Sequence, residues 1–118
     1  MKPGTRAAVA YIVGSLKNRS SAVYDYSRGR YIQLSGSVTP NNVNVYDYDE
    51  KCHISGSGNS GNFSLYHYGN GNHIQLTIKN NQFNGYDYGS GAHFSGTVSG
   101  RSISLYDYGE GSYFNYTV

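Results

Sequence analysis

Residues 62–78 read NFSLYHYGNGNHIQLTI and contain one full copy of the pattern that organises this chain. Apolar and polar residues alternate on both sides of the turn-forming run Gly69-Asn70-Gly71. Period-two alternation interrupted by a glycine-rich reversal is typical of a β-hairpin. The stretch therefore predicts two antiparallel strands joined by a tight turn.

The same pattern recurs five times, as a series of tyrosine triplets shows. The triplets are Tyr24-Asp25-Tyr26, Tyr46-Asp47-Tyr48, Tyr66-His67-Tyr68, Tyr86-Asp87-Tyr88 and Tyr106-Asp107-Tyr108. A nearly constant period of this length indicates an internal repeat. The sequence predicts a mainly β fold in which residues 22–118 form five hairpin repeats, an antiparallel meander of about ten short strands. An alternative is a β-solenoid in which each repeat forms one coil, because regular periods also mark that class.

Composition limits the class of protein. The chain has 118 residues, of which 37% are hydrophobic and 14% charged, with 16 glycines. These values exclude a charge-rich disordered chain and an ordinary helical bundle, and the length predicts one soluble domain over residues 1–118. The net charge is +2, with a small group of Lys17, Arg19, Arg28 and Arg30. Such a weak basic character gives no strong nucleic-acid signal.

The first residues predict a helix over 5–18, with Thr5 as its N-cap and Ile12 and Leu16 at helical spacing. The apolar run is too short for a transmembrane segment. A basic start before a short apolar run leaves a secretory leader as an alternative. The single Cys52 has no partner within the chain, which favours a reducing compartment and a cytoplasmic location.

Strand register follows from the turns between repeats, because antiparallel partners have a constant sum of residue numbers. Turns at 40–41, 60–61, 80–81 and 100–101 place a glycine opposite a large residue in every case. The predicted pairs are Gly36 with Val45, Gly56 with Leu65, Leu76 with Gly85, and Gly96 with Leu105. Size complementarity of this kind indicates side chains packed on one face of a sheet.

This register places the tyrosines on the opposite, solvent face and the central aspartates on the apolar face near the strand ends. Ten strands span about 50 Å, whereas the helix covers only about 20 Å. The sheet is therefore expected to curl around the helix as a barrel or half-barrel, or to pair with a second copy as a homodimer. If the sheet closes into a barrel, its apolar face is covered and the protein is expected to be a monomer.

The solvent face supplies the candidate binding site, because rows of exposed aromatic rings can pack on sugars and neighbouring polar groups can bind hydroxyls. We expect a non-catalytic binding or interaction module whose ligand is a carbohydrate or another polymer. The candidate ligand-binding residues are Tyr46, Tyr48, Tyr66, Tyr68, Tyr86, Tyr88, Tyr106, Tyr108, His53, His73 and His93. A structural or self-associating β protein is the first alternative, and a hydrolase is a more distant one.

No cofactor and no metal are expected. The Gly-x-Gly turns lack the following helix that would hold a phosphate. In a meander the repeated histidines lie on every second strand, too far apart to share one ion. The repeated aspartates have similar surroundings, whereas acid–base catalysis needs two carboxyl groups in different ones.

Two departures from the pattern mark places where a unique contact could arise. Residues 49–52 replace a Gly-x-Gly turn with Asp-Glu-Lys-Cys, and His67 stands where the other triplets have aspartate. Tyr-x-Tyr with an adjacent Asp, followed by Gly-x-Gly, resembles the tyrosine–aspartate repeats of bacterial Rhs-type shell proteins. The order here is Tyr-Asp-Tyr, most copies lack the Gly-Arg step of that family, and the chain is too short for a shell that encloses a cargo. The resemblance therefore assigns no functional residue.

Overall fold

The computed structural model describes residues 1–118 as one helix and ten antiparallel strands that close into a barrel. The elements are α1 (Pro3–Ser15), β1 (Ala22–Asp25), β2 (Arg30–Val38), β3 (Asn42–Asp47), β4 (Cys52–Asn59), β5 (Asn62–His67), β6 (Asn72–Lys79), β7 (Gln82–Asp87), β8 (Ala92–Ser99), β9 (Ser102–Asp107) and β10 (Ser112–Thr117). We number the hairpins 1 to 5 in chain order, from β1–β2 to β9–β10. The predicted mainly β meander with an N-terminal helix is confirmed.

Closure depends on the pairing of the first strand with the last. Tyr24 lies opposite Thr117 and Asp25 opposite Tyr116, and every other strand pairs with its neighbours in sequence. All of these pairs are antiparallel, so the coil-stacking alternative is wrong. Because the barrel closes, the inner apolar face needs no second copy of the chain to cover it.

The register predicted between hairpins is confirmed. Gly36 lies opposite Val45, and Gly56 opposite Leu65. A β-carbon on Gly56 would collide with the backbone of the facing strand at Ser64 and Leu65, so the backbones approach too closely there for any side chain. The other two pairs are Leu76 with Gly85 and Gly96 with Leu105.

Helix α1 fills the barrel instead of covering part of one face. Every residue from Gly4 to Gly14 is buried, and small residues such as Ala7 and Ala8 let the helix fit between the strands. A β-carbon on Gly14 would collide with the side chain of Val118. The helix thus forms one core with the inward residues of the strands. It falls short of the length and apolar character needed to cross a membrane.

The predicted bounds and cap of the helix were wrong. The helix begins at Pro3 and ends at Ser15, and its N-cap residue Lys2 makes no side-chain capping bond. Proline is favoured at the first helical position because it has no N–H to leave unpaired. Thr5 lies inside the helix, where its hydroxyl accepts a hydrogen bond from the Asn70 side chain (2.9 Å).

The predicted group of four basic residues is also split. Arg28 and Arg30 lie at the barrel end that carries the tyrosine triplets, where they form ion pairs with Asp25 and Asp49. Lys17 and Arg19 follow the helix at the other end. The four residues are close in sequence, but α1 runs through the barrel and separates them in space.

Candidate functional site

Five aromatic triads surround the outside of the barrel, and together we call them the aromatic belt. Each has a central tyrosine with two rings packed edge-on against it, at centroid distances between 4.7 and 5.0 Å. The triads, central residue first, are Tyr24 with Tyr26 and Tyr31, Tyr46 with Tyr48 and His53, Tyr66 with Tyr68 and His73, Tyr86 with Tyr88 and His93, and Tyr106 with Tyr108 and Tyr113. Edge-to-face packing of this kind is the arrangement that aromatic rings prefer.

The triads follow from strand geometry. The first and third residues of a triplet point to the same side of the sheet because side chains alternate along a strand. His53 is the cross-strand partner of Tyr46 within hairpin 2, so its ring completes that triad. The Tyr68 N–H of the next hairpin donates to the His53 carbonyl (3.0 Å). The histidines thus link neighbouring hairpins.

The belt contains all the candidate residues and places them on the solvent side. The central tyrosines are half-buried, whereas the exposed fraction of the flanking tyrosines runs from 49% at Tyr48 to 71% at Tyr31. Sequence analysis missed Tyr24, Tyr26, Tyr31 and Tyr113. Tyr31 and Tyr113 each stand seven residues after the first triplet tyrosine, the position of the histidines, so alignment of the five copies contains the signal for them.

Serine hydroxyls contact two of the exposed phenols. The Tyr48 hydroxyl lies 3.1 Å from Ser35 Oγ, and the Tyr108 hydroxyl lies 3.4 Å from Ser95 Oγ. A phenol in such a contact keeps hydrogen-bonding capacity for a ligand because its oxygen both donates and accepts. The belt therefore combines apolar ring surface with fixed polar groups.

Two equivalent grooves lie between triads. The first, about 500 Å³, is lined by Tyr46, His53, Ser55 and Tyr68, with Asn44, Lys51, Cys52 and Gly69. The second, about 380 Å³, has His93, Ser95 and Tyr108 at the equivalent positions, with Asn84, Gly85 and Phe94. Between them, Gln75 takes the place of the serine and reaches the Ser64 hydroxyl (3.4 Å). Ser55 and Ser95 have shorter side chains than Gln75. A groove is therefore open at each serine, and the equivalent position between them is filled by Gln75.

Beneath the belt lies a ring of five buried titratable side chains, the central residues of the triplets. These are Asp25, Asp47, His67, Asp87 and Asp107. Backbone amides of the following turn donate to one carboxylate oxygen of each aspartate, as when Asp47 Oδ1 accepts from the N–H groups of Asp49 (2.9 Å) and Glu50 (3.1 Å). The four aspartates on the apolar side therefore act as caps of four of the five turns, and His67 takes this role in the fifth by accepting from the Asn70 N–H.

Cations stabilise two members of this ring. Asp107 Oδ2 lies 3.1 Å from the amino group of Met1 and 3.1 Å from Arg6 Nη1. Burial alone raises the pKa of Asp107, but the bonds from the amino group and Arg6 outweigh burial and lower it. Asp25 is in the same situation, because bonds from Ser27 and Arg28 outweigh burial and hold its pKa below the usual range.

Asp47 and His67 lack such a partner. Asp47 Oδ2 is buried without a hydrogen bond, and burial raises the pKa of Asp47. His67 Nδ1 accepts from the Asn70 N–H (3.1 Å), so its proton resides on Nε2, and burial lowers the pKa of His67. Both shifts favour the neutral form.

The two departures from the sequence pattern contact each other. Cys52 Sγ lies 3.9 Å from both ring nitrogens of His67. Burial raises the pKa of the Cys52 thiol, and the charges of Asp47 and Glu50 raise it further. A reactive cysteine needs the opposite shift. Contact between Cys52 and His67 therefore packs hairpin 2 against hairpin 3. The raised pKa of the thiol does not suit a nucleophile.

The barrel interior is occupied by α1, so ligand contacts fall to the outer surface. No three His, Cys, Asp or Glu side chains are grouped so that they could hold a metal ion. Comparison of the chain with protein-family models, with curated proteins and with solved structures finds no match.

Proposed function

We propose that this protein is a non-catalytic binding module that holds a carbohydrate chain against its aromatic belt. The observation that supports this most is the pair of equivalent grooves, each bounded by an exposed tyrosine, a histidine and a serine. Sugar rings present apolar C–H faces and a rim of hydroxyls, which match aromatic rings flanked by polar groups. Equivalent grooves at two places suit a polymer with repeating units.

The groove linings favour binding over hydrolysis. Neither groove contains a carboxylate, whereas most glycoside hydrolases use a pair of Asp or Glu residues beside the scissile bond. The aspartates nearest to the belt are buried in the turns and accept turn amides. They are thus engaged in holding the turns.

The belt allows a matched test. Tyr68 and Tyr108 border the two grooves, whereas Tyr88 borders the position that Gln75 fills, and the three have similar exposed fractions of 60%, 60% and 56%. We expect Tyr68→Ala with Tyr108→Ala to weaken binding to an immobilised polysaccharide about tenfold or more, because buried aromatic contacts dominate such sites. Tyr88→Ala serves as the control and is expected to bind nearly as well as the unmodified protein.

Affinity electrophoresis in gels containing soluble β-glucan, xylan, mannan or chitosan provides the measurement. Retardation in none of the gels, or equal loss in the double variant and in Tyr88→Ala, would overturn the proposal. Sedimentation of the same proteins tests the self-associating alternative. A mass that falls in the double variant without any polysaccharide binding would assign the belt to contacts between copies.

A further inference from the structure

Acidic side chains are confined to one end of the barrel, whereas basic side chains are found at both ends. All seven acidic residues lie in a tyrosine triplet or at most two residues after one: Asp25, Asp47, Asp49, Glu50, Asp87, Asp107 and Glu110. Five of the nine cations share that end: Lys2, Arg6, Arg28, Arg30 and Lys51. The other end carries Lys17, Arg19, Lys79 and Arg101 and no acidic side chain. We call it the basic end.

The four cations of the basic end are held near one another. After α1, the chain crosses this end, where Lys17 Nζ donates to Asn81 Oδ1 (3.0 Å) and Asn18 Nδ2 donates to the Gly100 carbonyl (3.0 Å). These contacts dock the segment on the β6–β7 connection, which directly follows Lys79, and on the β8–β9 connection, which contains Arg101. Arg101 Nη1 donates to the main-chain oxygen of Val118 (2.8 Å), whereas Lys17, Arg19 and Lys79 take part in no ion pair. The side-chain charge of this end is therefore positive and creates a positive potential over it.

A cleft of about 330 Å³ opens where α1 ends. Lys17 and Arg19 are exposed at its rim, and neither takes part in any of the five ion pairs of the protein. Inside, Ser15 Oγ is buried without a hydrogen-bond partner. Gly36 forms part of the wall, and its φ of 134° together with the nearby Asn44 carbonyl excludes a side chain that would narrow the cleft.

We propose that this cleft binds a phosphate or sulfate ester. The lining offers the Lys17 ammonium, the Arg19 guanidinium and the Ser15 hydroxyl, which are the donors that an oxyanion needs. The absence of acidic side chains removes the repulsion that an anion would meet at the other end of the barrel. This inference goes beyond the carbohydrate site of the belt and does not rest on it.

Other polyanions fit this end less well. Single-stranded nucleic acid is usually held on exposed aromatic rings, and all the exposed large hydrophobic residues of this protein are tyrosines of the belt. A lipid surface is usually entered by exposed apolar residues, which the basic end lacks for the same reason. The cleft has the size of a small ligand or of one charged group on a larger one.

Amide NMR titration of the ¹⁵N-labelled full chain tests the proposal with four probes: glucose 6-phosphate, glucose 6-sulfate, inorganic phosphate and glucose. We expect the two esters to shift the amide signals of residues 15–20 and 36–38, and glucose to leave them in place. Absence of these shifts, or equal shifts with glucose, would overturn the proposal. Inorganic phosphate that binds as tightly as the esters would assign the cleft to the free ion and overturn the ester assignment.

Substitution of the two rim cations gives the decisive comparison. Lys17→Gln with Arg19→Gln is expected to weaken ester binding about tenfold or more, because two charge-assisted bonds are lost. Lys2→Gln with Arg30→Gln removes the same charges at the other end and is expected to change the affinity less than twofold. Equal weakening in both variants would show that net charge alone attracts the ester. Unchanged amide signals of Tyr86 and Tyr88 in both variants confirm that the barrel is intact.

Discussion

Asp107 and Asp47 occupy the same position in two hairpins, yet their electrostatic surroundings are opposite. Both are fully buried, and both accept backbone amides of the following turn. Asp107 also faces the Met1 amino group and Arg6, whereas Asp47 Oδ2 has no partner. The hairpin pattern therefore determines where the carboxylate lies, whereas contacts with Met1 and Arg6 determine which carboxylate is stabilised as an anion.

His67 extends the comparison. It occupies the position between Asp47 and Asp87 in the ring, neither of which forms an ion pair, whereas Asp25 and Asp107 do. A third carboxylate there would add a buried negative charge without a counter-ion, which costs free energy. A neutral histidine that accepts the turn amide of Asn70 keeps the cap and avoids the charge.

The largest effect is expected for Asp107→Asn. The amide keeps an acceptor for the Gly109 N–H but leaves Arg6 buried without its counter-ion. Loss of one partner of a buried ion pair costs about 3 kcal/mol or more. Urea denaturation at pH 7 measures the change in the free energy of unfolding. A loss no larger than that of Asp47→Asn would contradict the comparison.

A smaller loss is expected for His67→Asp, which restores the aspartate of the other hairpins. The new carboxylate lies near Asp47 without a cation, so we expect stability at pH 7 to fall by about 1–2 kcal/mol. His67→Asn is the matched control, because its amide oxygen can accept from the Asn70 N–H without a charge. Equal stability of the two variants at pH 7 would show that charge is not the reason for the histidine.

The smallest effect, and one of opposite sign, is expected for Asp47→Asn. The pKa of Asp47 is raised in the folded protein, so its ionisation costs stability as the pH rises through that pKa. The variant is therefore expected to be slightly more stable than the unmodified protein at pH 7, with the gain lost below the ordinary carboxyl pKa of 3.8.

The pH dependence of Asp107→Asn is expected to run the other way. The pKa of Asp107 is lowered by folding, so its stabilising contribution is present above the unfolded-state pKa and is lost as the pH falls through the folded-state pKa. Unfolding curves of both variants between pH 3 and pH 7 show the two signs side by side. Parallel curves would contradict the assignment of the two charge states.

Much of the fold could be predicted because its determinants are local. The period-two alternation around Gly69-Asn70-Gly71 and the pairing of Gly56 with Leu65 involve residues that are close in sequence, and both are found in the structure. The outward direction of the tyrosines follows from the same alternation. Tyr31 and Tyr113 were not predicted because the other three hairpins carry a histidine at the equivalent position.

The sequence by itself determined the ten strands, their register and the two faces of the sheet, since each depends on neighbouring residues. Tertiary structure decided the rest. Closure needs β1 and β10 to meet, and the charge state of Asp107 depends on Arg6, which lies 101 residues away. The contact of Cys52 with His67 and the gathering of four cations at one end likewise arise from folding around α1. Contacts over such distances are set by packing, which local patterns do not encode.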